Sequence, residues 1–289
     1  MSNTIELAKS FVPKLDECYR LASLTSVLDG APELAKQGAN ANELIIPMMS
    51  MDGLADYSRN GGYVQGGVTM TNETVKCNFD RGRRFDVDVM DDLETAGLAF
   101  GRLSAQFIRD KVVPELDAFR FASYCGISGV TKKEETLADG AATAAALSAA
   151  VTAMDDEEVT ATGRYLFITP TLLQGINDMD TTKSKKVLEG FERVIKVPQR
   201  RFYTAIKQLS GKTGEEAGGY TKAAGAANIN FAIVQKDALI QYTKHAAPKI
   251  IAPENNPDAD AYVFGYRMVG IAKAYKNMLS GMYFSHDKA

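Results

Sequence analysis

The stretch Asp80-Arg81-Gly82-Arg83-Arg84-Phe85-Asp86-Val87-Asp88 sets three cations beside three carboxylates within nine residues. Side chains alternate between the two faces of a β-strand, so a strand here puts Arg81 and Arg83 on one face. Arg84 then shares the other face with Asp86 and Asp88. The three arginines cannot all pair with carboxylates of this stretch. At least one face therefore has cations that can pair with groups elsewhere.

The segment before this stretch has the pattern of a long β-hairpin. An apolar run, 44–51, is followed by the turn signals Arg59-Asn60-Gly61-Gly62 and Gly66-Gly67, and then by the alternating run 68–79. Few large apolar side chains lie near the tip, Asp56 to Gly67. Because the tip cannot bury a core of its own, we expect it to pack against something else.

A long helix is predicted after the stretch. Asp91 is a candidate N-cap with Glu94 three residues later, and apolar residues then recur at helical spacing up to Phe107. With 112–124 the helix would reach ~50 Å at 1.5 Å per residue. Pro114 is expected to kink it or to start a second segment.

The rest of the chain mixes helices and strands. An amphipathic N-terminal arm is predicted from Phe11, Leu15, Cys18 and Ala22. Helices are predicted at 141–154 and after Pro170, and strands at 165–169, 194–203, 229–234, 262–268 and 271–283. The glycine- and alanine-rich segment 211–225 has the composition of a mobile surface loop. The fold class is therefore α+β or α/β.

The composition of the chain argues against several classes of function. Among 289 residues 45% are hydrophobic, which is enough for a sizeable core, and the formal net charge is only −3. That charge is unlike the basic footprint of a protein that grips nucleic acid. No run of about 18 apolar residues is present, and 1–10 lacks the features of a secretory signal. We expect a protein of a cytoplasm-like compartment with no membrane association.

No motif predicts catalysis, a cofactor or a metal. Ser210-Gly211-Lys212-Thr213 resembles a phosphate-binding loop, but Ile206 occupies the position of its first glycine. Gly126-Ile127-Ser128-Gly129 lacks the spacing of a nucleophile elbow, and two histidines offer little for a triad. Asp155-Asp156-Glu157-Glu158 lacks the alternating ligands of a calcium loop. Cys18, Cys77 and Cys125 are expected to be reduced.

The sequence resembles major capsid proteins of the Hong Kong 97-like fold, of the type found in phages of Gram-positive bacteria. The stretches that carry the resemblance are Asp80-Arg81-Gly82-Arg83-Arg84-Phe85-Asp86-Val87-Asp88, Met90-Asp91, Glu94-Thr95, Leu98-Ala99-Phe100-Gly101, Lys111-Val112-Val113-Pro114-Glu115, Asp117-Ala118, Arg120-Phe121-Ala122 and the C-terminal run Asp260-Ala261-Tyr262-Val263-Phe264-Gly265-Tyr266-Arg267 with Gly281 and Tyr283. The predicted elements also follow the family's order along the chain.

The resemblance implies an α+β capsid fold with a defined division. An N-terminal arm would take 1–41, an extended loop 42–88, a peripheral domain with a spine helix 89–130 and 245–289, and an axial domain 131–244. It implies a virion protein, assembled in the host bacterial cytoplasm, that forms pentamers and hexamers of itself. The candidates for intersubunit contact are Arg59, Asn60, Gly61, Gly62, Arg81, Arg83, Arg84, Asp86 and Asp88.

Partners and alternatives follow from the same resemblance. Only about 40 residues precede the hairpin, so we expect scaffolding protein to be a separate chain, together with a portal and packaged double-stranded DNA as a weak, non-specific neighbour. The tip, Asp56 to Gly67, has no lysine, which argues against a cross-linked shell. The alternatives are an encapsulin-type shell of a cellular compartment and a soluble α/β enzyme.

Overall fold

The computed structural model describes residues 23–30, 36–37, 43–90, 105–179 and 182–288. Within these ranges the strands are β1 Lys36–Gln37, β2 Glu43–Met51, β3 Val68–Lys76, β4 Phe79–Asp88, β5 Thr131–Glu134, β6 Arg164–Ile168, β7 Arg193–Lys196, β8 Ile206–Gln208, β9 Tyr220–Lys222, β10 Ile229–Gln235, β11 Leu239–Ile251, β12 Ala261–Ala274 and β13 Met282–His286. The α-helices are α1 Val113–Gly126, α2 Gly140–Asp156, α3 Pro170–Asp178 and α4 Thr182–Glu189.

A five-stranded sheet in the order β5-β13-β10-β6-β7 forms the centre of one half of the molecule. Every residue of β6 and β10 is buried, because both faces of the sheet are covered. Tyr165 and Phe167 face the core that includes α1, whereas Leu166 and Ile168 face the core formed with α2 and α3. Because side chains alternate between the two faces of a strand, β6 contributes residues to two separate cores.

Two further sheets carry the hairpin and its base. Strands β2 and β3 pair in register from Glu43↔Lys76 to Met51↔Val68, which confirms the predicted hairpin. Strand β4 continues from the hairpin into a second sheet, β11-β12-β4, where it pairs with β12 along its whole length. Gly82 is needed in that pairing, because a Cβ atom there would lie 2.8 Å from the Tyr266 carbonyl oxygen.

Helix α1 connects the two halves. Its first turns, with Val113 and Leu116, pack against the β4–β12 sheet, while Phe121 and Tyr124 pack against the five-stranded sheet. The backbone is π-helical over Ile108–Val112 immediately before α1, and Pro114 lies at the start of the helix. The sequence predicts a kink or a second helical segment at Pro114, and the backbone changes from π-helix to α-helix next to this residue. Most of the predicted long helix, 91–104, lies outside the described residues.

A buried carboxylate on α1 holds the segment 23–30. Asp117 is fully buried and accepts hydrogen bonds from the hydroxyls of Ser23 and Thr25, from the backbone N–H groups of Leu24 and Thr25, and from the Arg201 guanidinium. One turn later, the buried Arg120 donates to the Thr25 hydroxyl and pairs with Asp29 at 3.1 Å. We name this cluster the arm anchor.

Two expectations need correction. The segment 211–225 is not a free loop, since β9 within it pairs with β8. The strand expected over 194–203 ends at Lys196, and Pro198, which cannot donate to a ladder, follows two residues later. The last strand, β13, lies between β5 and β10 in the five-stranded sheet. Most of the predicted helical arm lies outside the described residues.

Asp117→Ala should lower the free energy of unfolding by about 3 to 5 kcal/mol, because the buried Arg201 guanidinium and two hydroxyls lose their acceptor. The matched variant Asp139→Ala removes only the exposed N-cap of α2, which accepts from the Ala142 N–H at 2.7 Å, and should cost about 1 kcal/mol. Urea unfolding of both variants measures the difference. Equal losses would show that the arm anchor contributes no more than a surface cap.

Candidate assembly surface

The distal half of the hairpin has an apolar face that the described residues do not cover. Met49 lies opposite Met70, and Met51 lies opposite Val68, so the four side chains share one face. They are 58 to 68% exposed. In the described part of the chain, eight of the ten large apolar side chains that are strongly exposed lie between residues 49 and 70. Such concentration marks an interaction surface rather than scattered surface residues.

The tip of the hairpin has a defined turn. Ser58 and Gly62 form a bridge, and Gly62 adopts a positive φ of 75°, which glycine tolerates at no steric cost. The rings of Tyr57 and Tyr63 lie together beside this bridge, with centroids 4.9 Å apart and planes tilted by 60°. Arg59 and Asn60 occupy the exposed end of the turn. The tip therefore presents a rigid aromatic pair although it is not supported by a core.

Arg81 joins the hairpin base to α1 and to a distant loop. Its Nε donates to Glu115 at 2.8 Å, and its Nη2 donates to the carbonyl oxygens of Leu209 and Gly219 at 2.7 and 3.3 Å. Gln208 also donates to Glu115, at 3.3 Å. This half-buried guanidinium thus fixes both ends of the segment 209–219.

Arg83 lies against the same segment. Its Nη2 donates to the Glu216 carbonyl oxygen at 2.8 Å, and its Nη1 would lie 3.1 and 2.8 Å from Cβ atoms at Gly211 and Gly218. Both glycines have positive φ, 72° and 62°. This backbone conformation favours glycine, and a Cβ atom at either position would require the end of the Arg83 side chain to shift. We name residues 209–219 with Arg81 and Arg83 the loop clamp.

The opposite face of β4 makes only exposed pairs. Arg84 donates to Asp86 at 2.8 Å, and Asp88 accepts from the Met90 N–H. Asp80 accepts two hydrogen bonds from Arg267 on β12, and these bonds lower the pKa of that carboxyl. The predicted separation of the arginines between two faces is confirmed. The face with Arg81 and Arg83 is the one that reaches α1 and the segment 209–219.

The loop clamp is organised internally by Glu215. Its carboxylate accepts hydrogen bonds from the Lys207 ammonium and the Ser210 N–H, and these bonds lower its pKa to about 2. The segment that the composition assigned to a mobile loop is therefore held at its ends and at its centre.

Several groups that sequence analysis weighed lie apart from this surface. Among the described residues, no group of three His, Cys, Asp or Glu side chains is placed to hold a metal ion. Lys212 is exposed in the loop clamp, Cys77 and Cys125 are free thiols, and Cys18 lies outside the described residues. No helix in the described ranges is long and apolar enough to cross a membrane.

Sequence reasoning missed the apolar face formed by Met49, Met51, Val68 and Met70. The alternating run 68–79 predicted a strand of the hairpin, but it did not predict that the distal apolar residues of this strand are exposed. The sequence does not give the pairing register, which places the Met49–Met70 pair and the Met51–Val68 pair on one face.

Comparison with known proteins shows the fold. No protein-family profile and no curated protein sequence matches the chain. A structure of Gordonia phage Cozz is similar with a TM-score of 0.60 and 10% identity, over 93% of this chain and 87% of that chain. The virus-like particle from Pyrococcus furiosus gives 0.59 and 10%, over 97% and 99%. The capsid of cyanophage P-SCSP1u gives 0.54 and 12%, over 87% and 85%. The predicted α+β Hong Kong 97-like capsid fold is confirmed.

Arg81→Gln should release the loop clamp and raise the amide exchange rate of residues 209–219 by about tenfold or more, since charge-assisted hydrogen bonds are lost. Hydrogen exchange with mass spectrometry measures the rate. The control is Arg84→Gln, whose partner Asp86 lies on the same strand, and it should leave the loop unchanged. Identical exchange in the parent and in Arg81→Gln would remove Arg81 from the clamp.

The loop clamp should loosen in acid. Because the pKa of Glu215 is lower in the folded chain than its ordinary value of 4.5, its stabilising effect is complete above pH 4.5 and declines as pH falls towards about 2. Protection of the Ser210 amide, followed by NMR between pH 6 and pH 2, should fall in that range. In Glu215→Gln the protection should be low and nearly independent of pH there. A pH profile that survives the substitution would assign the effect to another group.

Proposed function

We propose that this chain is the major coat protein of a tailed phage, which assembles with many copies of itself into the shell that encloses the genome. The observation that carries the proposal is the uncovered apolar hairpin on a fold that solved structures of phage capsids share. Burying four such side chains stabilises an interface by about 1.5 to 3 kcal/mol each. The isolated subunit obtains none of this energy.

The hairpin is the proposed contact with a neighbouring subunit. The tip residues Arg59, Asn60, Gly61 and Gly62 would meet the neighbour first, with the Tyr57–Tyr63 pair beside them. Aromatic side chains on a rigid turn bind at low cost in conformational entropy. A shell with interfaces well above ~2,000 Å² per subunit is expected.

The cationic stretch on β4 has a proposed part in assembly as well. Arg83, Arg84, Asp86 and Asp88 are exposed at the hairpin base, where they can set the register between copies by charge. Arg81 would act indirectly, because its hydrogen bonds position the loop clamp. The division into arm, extended loop, peripheral domain and axial domain belongs to the same proposal.

The remaining parts of the proposal concern partners. The chain works without catalysis or cofactor, as pentamers and hexamers in the virion, after assembly in the host bacterial cytoplasm. A scaffolding protein and a portal are separate chains, and packaged DNA is a weak neighbour. The acidic overall charge supports this weak contact, since the phosphate backbone binds chiefly to basic surfaces.

A second candidate is a cellular compartment shell that encloses a protein cargo. The similarity to an archaeal virus-like particle over nearly the whole of both chains favours it. Particles purified from the organism that produces this chain distinguish the two candidates. Nuclease-protected double-stranded DNA inside the particles supports the coat protein, and an enclosed enzyme supports the compartment. A chain that stays monomeric at all concentrations would instead support the soluble α/β enzyme.

Met49→Glu should block shell formation and leave the subunit folded, because a carboxylate would be buried in the interface but is solvated in the monomer. The control is Ser50→Glu, which adds the same charge at the neighbouring, exposed position on the opposite face. Sedimentation and electron microscopy measure shells, and circular dichroism measures folding. Normal shells from Met49→Glu would remove the apolar face from the interface.

Deleting residues 56–67 tests the tip separately. No buried residue lies in this range, so the fold should survive while assembly fails. Unfolding of the deletion variant would show that the tip contributes to the core.

A further inference from the structure

A cleft of about 1030 Å³ lies between β4, the helical turns at 106–115 and the segment 200–222. Six cations line it: Arg81, Arg83, Arg84, Lys111, Arg200 and Lys222. Among the described residues that line the cleft, only two are carboxylates, Asp110 and Glu115. On a chain whose net charge is −3, this is a local concentration of positive charge.

The two carboxylates of the cleft are already paired. Glu115 accepts from Arg81, and Asp110 pairs with Arg109. Lys111 and Arg200 are exposed, and neither side chain has a hydrogen bond or an ion pair within the described part of the chain. The cleft therefore retains cations that can bind an acidic group from outside.

An acidic turn elsewhere in the chain has the opposite excess. Asp155-Asp156-Glu157-Glu158 stands at the C-terminal end of α2, and all four side chains are exposed. Asp155 pairs with Arg164 at 2.7 Å, whereas the other three carboxylates have no side-chain partner in the described structure. Carboxylates at a helix C-terminus are also disfavoured by the helix dipole. An external cation would relieve both effects.

The turn is shaped to project. Glu158 has a φ of 57°, a left-handed conformation that residues other than glycine seldom adopt, and it reverses the chain after α2. The turn at 155–158 and the cleft make no contact with each other within one chain.

We propose that the cleft of one copy binds the 155–158 turn of a neighbouring copy, with Lys111 and Arg200 facing Asp156 and Glu157. The inference rests on the proposed function, since it needs an assembling chain. Two different surfaces of the same chain meet, so the contact is heterologous, and it forms a ring when the rotation between successive copies closes. Opposite charge would fix the orientation of neighbours and speed their association.

A charge exchange tests this contact. Lys111→Glu with Arg200→Glu should lower the association constant of subunits at least about tenfold, and Asp156→Lys with Glu157→Lys should do the same. The chain that carries all four substitutions should regain shells, because the attraction is restored with reversed sign. Assembly of the purified full chain is followed by sedimentation and electron microscopy at low and high salt, and the parent should weaken as salt rises.

The control is Lys196→Glu with Lys249→Glu, which changes the net charge by the same amount at exposed lysines outside the cleft. It should assemble like the parent. Normal shells from either reversed pair, a control as impaired as the cleft variant, or a fourfold variant that stays unassembled would each overturn the proposal. Failure of the parent chain itself to assemble would instead contradict the proposed function.

Discussion

Burial of helix α1 between two sheets is the constraint on which the rest of the structure depends. The helix supplies Leu116 to the core beneath β4 and β12, and Phe121 to the core beneath the five-stranded sheet. Between them it carries Asp117, a fully buried carboxyl side chain whose burial is compensated by hydrogen bonds from five donors. Those donors come from 23–25 and from Arg201. Packing and polar satisfaction together hold distant segments in one arrangement.

The hairpin differs from α1, because its apolar side chains are exposed rather than buried. Its distal half is a two-stranded ribbon whose apolar face is not covered by the described residues, so Met49, Met51, Val68 and Met70 are exposed in the single chain. A folded protein is stable by only about 5 to 15 kcal/mol, and exposed apolar area of this kind contributes nothing to it. The same area becomes favourable once a second molecule covers it. The chain therefore separates the residues that stabilise its fold from those available for association.

The loop clamp connects the base of the hairpin with the packed helix α1. Arg81 lies on the strand that continues from the hairpin, yet its partners are Glu115 on α1 and carbonyl groups at Leu209 and Gly219. Charge-assisted hydrogen bonds thereby connect the hairpin base with the 209–219 segment. Three of the six cations that line the cleft, Arg81, Arg83 and Arg84, lie on the same strand. One sequence stretch thus contributes to pairing within the chain and to the charge that the surface presents.

The sequence by itself determined the elements whose signals are local. Period-two alternation placed Arg81 and Arg83 together on β4, glycine pairs marked the hairpin turn, and Pro170 marked the start of α3. Tertiary structure alone decided the partners. Glu115 is 34 residues from Arg81, and the Leu209 carbonyl is 128 residues away, separations that no periodicity encodes. For the same reason the composition of 211–225 predicted a mobile loop. Composition does not show the hydrogen bonds from a remote strand that hold this part of the chain. The exposure of Met49 and Met70 likewise depended on what the finished fold left uncovered, since an alternating strand has the same pattern whether its apolar face is buried or bare.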